Sequence, residues 1–133
     1  MPRFIIKPKP DEEFYVTYST IVDAPVVWGT REEIWREDPD ASRHRLDRAD
    51  DAGTSAVWGC PPYLGWGTGE ITVVEGFDLA DIPGDAAYAL VARGDLRALC
   101  ESYGEDGHWH PPAGVIAWRD VDGNSVSERE SNA

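Results

Sequence analysis

The chain has 133 residues, 25 acids against 12 bases and a formal net charge of −13. That length supports one domain with a single modest core and a radius of gyration of about 14 Å. The negative field repels phosphate backbones and anionic membrane surfaces, so it disfavours direct nucleic-acid binding and favours a partner with a basic surface.

Residues 4–7 spell a short strand, closed by Pro8 and Pro10, neither of which can donate to a ladder, so the strand is short or lies at an edge. Residues 14–23 alternate. Phe14, Val16, Tyr18, Thr20 and Val22 make the more apolar face, which should turn to the core, and Pro25 should end the strand. Thr30-Arg31-Glu32-Glu33 is a capping box, because the Thr30 hydroxyl and Glu33 carboxylate can each accept the other's backbone N–H. It predicts a helix over 31–37, anchored by Ile34 and Trp35 and stopped at Pro39. Residues 40–53 mix arginine and aspartate and read as a helical turn or ordered loop.

Residues 57–69, VWGCPPYLGWGTG, show neither helical nor strand period and form a Gly- and Pro-rich loop. Residues 70–74 are a strand with Ile71 and Val73 inward. The stretch 86–103 has two readings. One is a single helix with the stripe Tyr88, Ala92, Leu96, Leu99 and Tyr103, at a cost of about 1 kcal/mol for Gly94 inside it. The other, which we favour, is a strand over 88–92 and a helix from Asp95 to Gly104. Residues 115–118 are the last expected strand. The expected fold is therefore α+β, a mainly antiparallel sheet of four to five strands with two short helices. It comprises a single acidic domain over 1–121 and a polar C-terminal tail over 122–133.

The opening FIIKPKP (4–10), with FYVTYSTIVDAP (14–25) and WGTREE (28–33), resembles the start of small uncharacterised proteins of GC-rich actinobacteria and their phages. The absence of Gln and the scarcity of Asn suit such a source. The resemblance covers the N-terminal quarter and implies no activity and no site residues.

Two groups of residues are candidates for contact. Trp58, Tyr63 and Trp66 sit among glycines and prolines in the 57–69 loop. Trp109 sits in GHWHPPAG (107–114), which repeats the order of Trp followed by Pro-Pro. Stiff aromatic loops offer large contact area with few rotors, although any single Trp more often folds back onto the core. The second group is acidic. Residues 70–106 carry nine carboxylates against Arg93 and Arg97, and Asp78, Asp81, Asp85, Glu105 and Asp106 are the proposed contact acids.

Catalytic and metal signatures are weak. Cys60, Cys100, His108 and His110 lack zinc-ligand spacing, so neither metal nor cofactor is expected. The thiols could pair once, and reduced is the favoured state. Gly65, Gly67 and Gly69 lead into a strand, whereas a phosphate cradle leads into a helix. Ser19, Ser42, Ser55, Ser102 and His44 have no surroundings that mark a nucleophile or base. Arg93-Gly94-Asp95 is a chance tripeptide. The reading is a non-catalytic protein-interaction module, an accessory or structural component of a phage or mobile element. Its expected place is the cytoplasm or a particle assembled there, and oligomers are allowed. The alternatives are an acidic DNA-mimic inhibitor seated in a basic cleft and a carbohydrate or small-ligand binder using the Trp loops. An enzyme has the least support.

Overall fold

The computed structural model describes residues 3–37, 39–57 and 63–128. β1 (Arg3–Ile6), β2 (Tyr15–Ser19) and β3 (Ala24–Gly29) form an antiparallel sheet in the order β1-β2-β3. Phe4 stands opposite Tyr18, and Val16 opposite Trp28. The alternation of β2 works as read, but both of its faces are covered. Phe14, Val16 and Tyr18 enter the main core. Tyr15 packs with Ile5 on the reverse face beneath Ile34, Leu46 and Ala49.

The strand expected over 14–23 stops at Ser19, and a turn with Asp23 at φ 49° leads straight into β3. Pro25, expected to end a strand, lies inside one. It sits opposite Tyr18 where the register slips between Thr17 and Tyr18. A bulge on an outer strand is a place where a residue without an N–H costs the ladder little.

α1 (Arg31–Glu37) begins with the expected reciprocal cap. Thr30 N donates to Glu33 Oε1 at 3.1 Å, and Glu33 N to Thr30 Oγ1 at 3.3 Å. Pro39 opens α2 (Pro39–Ala52), because a proline in the first turn loses no helical bond. This full helix replaces the turn or loop expected over 40–53. Few apolar residues mark it: Leu46 and Ala49 are buried, and charge contacts add to their hold. Asp50 accepts from Lys7 Nζ (2.9 Å), Tyr15 OH (2.5 Å) and Arg31 (2.9 Å), and Arg31 also pairs with Asp47.

β4 (Glu70–Val73), β5 (Tyr88–Ala92), β6 (Ala117–Arg119) and β7 (Ser125–Glu128) form a second antiparallel sheet in that order. Ile71 and Val73 point inward, as expected. A 3-10 turn after β5 leads into α3 (Leu96–Glu101), so the strand-then-helix reading of 86–103 is the correct one. The last expected strand shifts from 115–118 to β6. Part of the segment read as a polar tail forms β7, because Asp120 Oδ1 accepts from the amides of Asp122 and Asn124 and closes a hairpin turn.

The fold is α+β in one compact unit, with seven strands in two sheets and three helices among the described residues. The main core lies between the sheets. There Phe4, Ile6, Val16 and Tyr18 meet Ile71, Val73, Ala89 and Val91, with Leu96, Leu99 and Cys100 of α3. Hydrogen bonds also run between the sheets, from Tyr18 OH to Thr72 O (2.5 Å) and, beside the strands, from Val74 N to Asp23 O (2.8 Å). No helix among the described residues is long and apolar enough to cross a membrane.

Candidate functional site

The turn over 63–69 is tied into the fold by Arg93. This side chain is buried, and its guanidinium donates to the carbonyls of Gly53 (2.6 Å), Lys7 (2.7 Å), Gly65 (2.8 Å) and Leu64. Burial lowers its pKa to about 10, which leaves it charged at neutral pH. The guanidinium lies 5.1 Å from the Trp66 ring centre, and Trp66 Nε1 donates to Asp51 O. Gly53 makes this possible. A Cβ there would sit 2.6 Å from the Arg93 guanidinium and 2.7 Å from Trp66, at φ +85°. Trp66 and Tyr63 are partly exposed as expected, but one face of Trp66 is taken by Arg93 and the Tyr63 ring packs edge-on against Phe4. Trp58 and Cys60 lie outside the described residues.

Trp109, expected as an exposed anchor, is instead 2% exposed. Its backbone N–H donates to Gly76 O and its Nε1 to Glu75 O, both at 2.8 Å. The indole lies so close to Gly76 (φ +105°) that a Cβ there would fall 2.1 Å from Nε1. The sequence between the histidines looked exposed because the glycine that admits the ring lies 33 residues upstream.

The expected aromatic loops do not form one surface. Arg93 N reaches Gly69 O at the start of β4, whereas Trp109 N reaches Gly76 O beyond its end. A four-residue strand alone separates such points by about 13 Å.

A cleft has formed around Trp109. One hollow, of about 490 Å³, is lined by Trp28, Tyr103, His108, Trp109, Glu75 and Phe77, with Val22, Ala24, Pro25 and Val26 as an aliphatic wall. A second, of about 360 Å³, shares Phe77 and Trp109 and adds Trp118, Asp81, His110 and Pro111. Trp109 stands against Tyr103 (4.6 Å between ring centres) and Trp28 (5.5 Å), and Phe77 meets Trp118 edge-on at 4.8 Å. Tyr103 is 43% exposed and forms the open side of this aromatic cluster.

Two of the five candidate acids belong to this cleft. Asp81 lines the second hollow, and Asp106 reaches it through His110, whose Nε2 lies 3.0 Å from Asp106 Oδ2. The hydrogen bond to His110 holds the Asp106 carboxyl below its usual range; desolvation opposes it, and the His108 N–H adds to the lowering. Asp78 is occupied locally, accepting from Ala80 N to cap a 3-10 turn. Asp85 and Glu105 are exposed and line neither hollow. Sequence reasoning missed Glu75, Trp28, Tyr103, Phe77 and Trp118 as site residues. The helix expected from Asp95 to Gly104 would include Tyr103, but α3 ends at Glu101 and leaves Tyr103 beyond it.

Ser102, His110 and Asp106 are neighbours without the connectivity of a catalytic triad. The Ser102 hydroxyl accepts from the His110 backbone N–H (2.9 Å) and donates to Leu99 O, while the imidazole faces Asp106. A nucleophile needs its hydroxyl on the ring. The Cys100 thiol is buried, and desolvation pushes its pKa up, away from thiolate chemistry. Among the described residues no group of three or more His, Cys, Asp or Glu could hold a metal. The cleft combines aromatic rings, an aliphatic wall and carboxylates at the rim. No protein-family model matches the chain, and the searches of curated proteins and of solved structures found no match either.

Proposed function

We propose that this chain is a non-catalytic interaction module that recognises a basic partner protein through the acidic, aromatic cleft around Trp109. The observation that carries the reading is the company those aromatics keep. Glu75, Asp81 and the Asp106–His110 pair meet the cleft, and no Lys or Arg is among its lining residues. Desolvated aromatic rings within a charged rim are the usual anatomy of a contact that binds through a few anchors. The whole-chain charge of −13 would steer a basic surface towards it. An accessory or structural component of a phage or mobile element is the setting that the N-terminal resemblance suggests.

This reading is favoured over a decoy for nucleic-acid enzymes. A decoy needs carboxylates ranged like phosphates over an open face, whereas Asp78 is bound into its own turn and Asp81 and Asp106 border a hollow. Stacking of a sugar on the 63–69 turn is also less favoured, because Arg93 covers one face of Trp66.

Cross-linking and affinity purification from the native host test the proposal, using the full chain and a Glu75→Lys/Asp81→Lys/Asp106→Lys variant. The expected result is capture of a protein with a basic surface, weakened by salt and lost in the variant. Equal capture by both chains, or capture insensitive to salt, would overturn it.

A further inference from the structure

We infer that the larger hollow is a subsite for the guanidinium of an arginine side chain, an assignment that rests on the basic-partner reading above. Its walls present the rings of Trp28 and Tyr103, with the buried Trp109 behind them, and Glu75 is the sole carboxylate among the lining residues. No cation among the described residues pairs with Glu75. An aromatic face attracts a cation placed within about 6 Å of its centre, and most strongly when the ring is tryptophan and water is excluded. A carboxylate at the rim can accept two charge-assisted hydrogen bonds donated by a flat guanidinium in forked geometry. A lysine ammonium, compact and strongly hydrated, loses more on entering such a slot.

Charge complementarity excludes the other ligand classes. A phosphate or carboxylate would meet Glu75 and a net charge of −13 with no Lys or Arg in the lining to answer it. A neutral apolar group would leave Glu75 without a partner. Among the described residues the molecule already sets arginine beside an aromatic ring, with Arg93 5.1 Å from Trp66 and Arg97 5.0 Å from Phe14. Tyr103, the most exposed of the three rings, gives an incoming side chain a face to slide along.

The test is a titration of ¹⁵N-labelled full chain with the blocked tripeptides Gly-Arg-Gly, Gly-Lys-Gly and Gly-citrulline-Gly. Citrulline has nearly the shape of arginine without its charge. The expected result is saturable movement of the Trp109 indole and Gly107 amide signals with arginine, at least tenfold weaker binding with citrulline, and an intermediate effect with lysine. Glu75→Gln should weaken the arginine peptide about tenfold. Glu70→Gln, at the far end of β4, should leave it unchanged. Equal binding of citrulline and arginine, movement confined to the 63–69 turn, or no movement would overturn the subsite. If the subsite fails while partner capture still depends on Glu75, Asp81 and Asp106, the broader interaction stands without it. If capture ignores those charges, the broader reading falls as well.

Discussion

Two glycines and one arginine decide what the aromatic residues of this chain can do. Gly76 leaves the space that Trp109 fills, and at φ +105° it also holds a backbone conformation that side chains resist. Gly76→Ala should therefore cost about 3 kcal/mol, from overlap and strain together. Urea unfolding followed by tryptophan fluorescence would measure it, and a loss below about 1 kcal/mol would mean that the indole is not seated there. Arg93 plays the matching part at the other end of β4, where it satisfies four carbonyls from three separate segments. Arg93→Met keeps the bulk but leaves those acceptors short of donors. It should lower stability by about 3 kcal/mol. Such residues are hard to read from a sequence. The sequence marks Arg93 as one of two bases among the acids of 70–106 and as part of a chance tripeptide, but not as a buried anchor, because its acceptors are backbone atoms up to 86 positions away.

Local signals were legible at the level of elements wherever a few adjacent residues carried the whole message. The capping box of α1 is of this kind, and Thr30→Ala should cost about 1 kcal/mol in thermal or urea unfolding. The alternation in β2 and β4 was also legible. β3 was not, because Pro25 signals termination unless a bulge on an outer strand accepts it. α2 was hidden for a different reason. Leu46 and Ala49 are its buried apolar contacts with Ile5 and Tyr15, and the rest of its hold is polar, through Asp50 to Lys7, Tyr15 and Arg31 of α1.

That link carries a pH signature. Desolvation and the Asp50 carboxylate raise the Tyr15 pKa to about 12. Below pH 10 the hydroxyl is protonated in both folded and unfolded chains, and its stabilisation is complete. Between pH 10 and 12 the unfolded chain ionises first, so stability should fall as pH rises. Burial raises Tyr18 as well, so Tyr15→Phe should flatten only part of the slope. Asp50 contributes at the acid end. Desolvation opposes its charge, but the hydrogen bonds from Tyr15 and Lys7, with the charges of Lys7 and Arg31, prevail and hold its carboxyl below the usual range. Its share of stability is thus present above the ordinary carboxylate pKa and lost as pH falls.

Across the whole molecule, the α+β class and the strong negative charge could be read from composition and pattern, but the cleft could not. Its walls come from β3, the loop after β4, the segment after α3 and, in the second hollow, β6. Residues 28, 75, 103 and 118 meet only after two sheets have packed, which no local period encodes. The acids show the same limit. Their number was plain, yet only the fold separates Asp81 and Asp106 at the cleft from Asp78 in a cap. The account therefore concentrates recognition on one face, away from the 63–69 turn and from the helices that cover the first sheet. Hydrogen-exchange footprinting of the full chain with its captured basic partner tests this most directly. Slowed exchange should fall on residues 75–81 and 103–110. Protection centred on the 63–69 turn or on α1 and α2, with 75–81 and 103–110 unchanged, would contradict it.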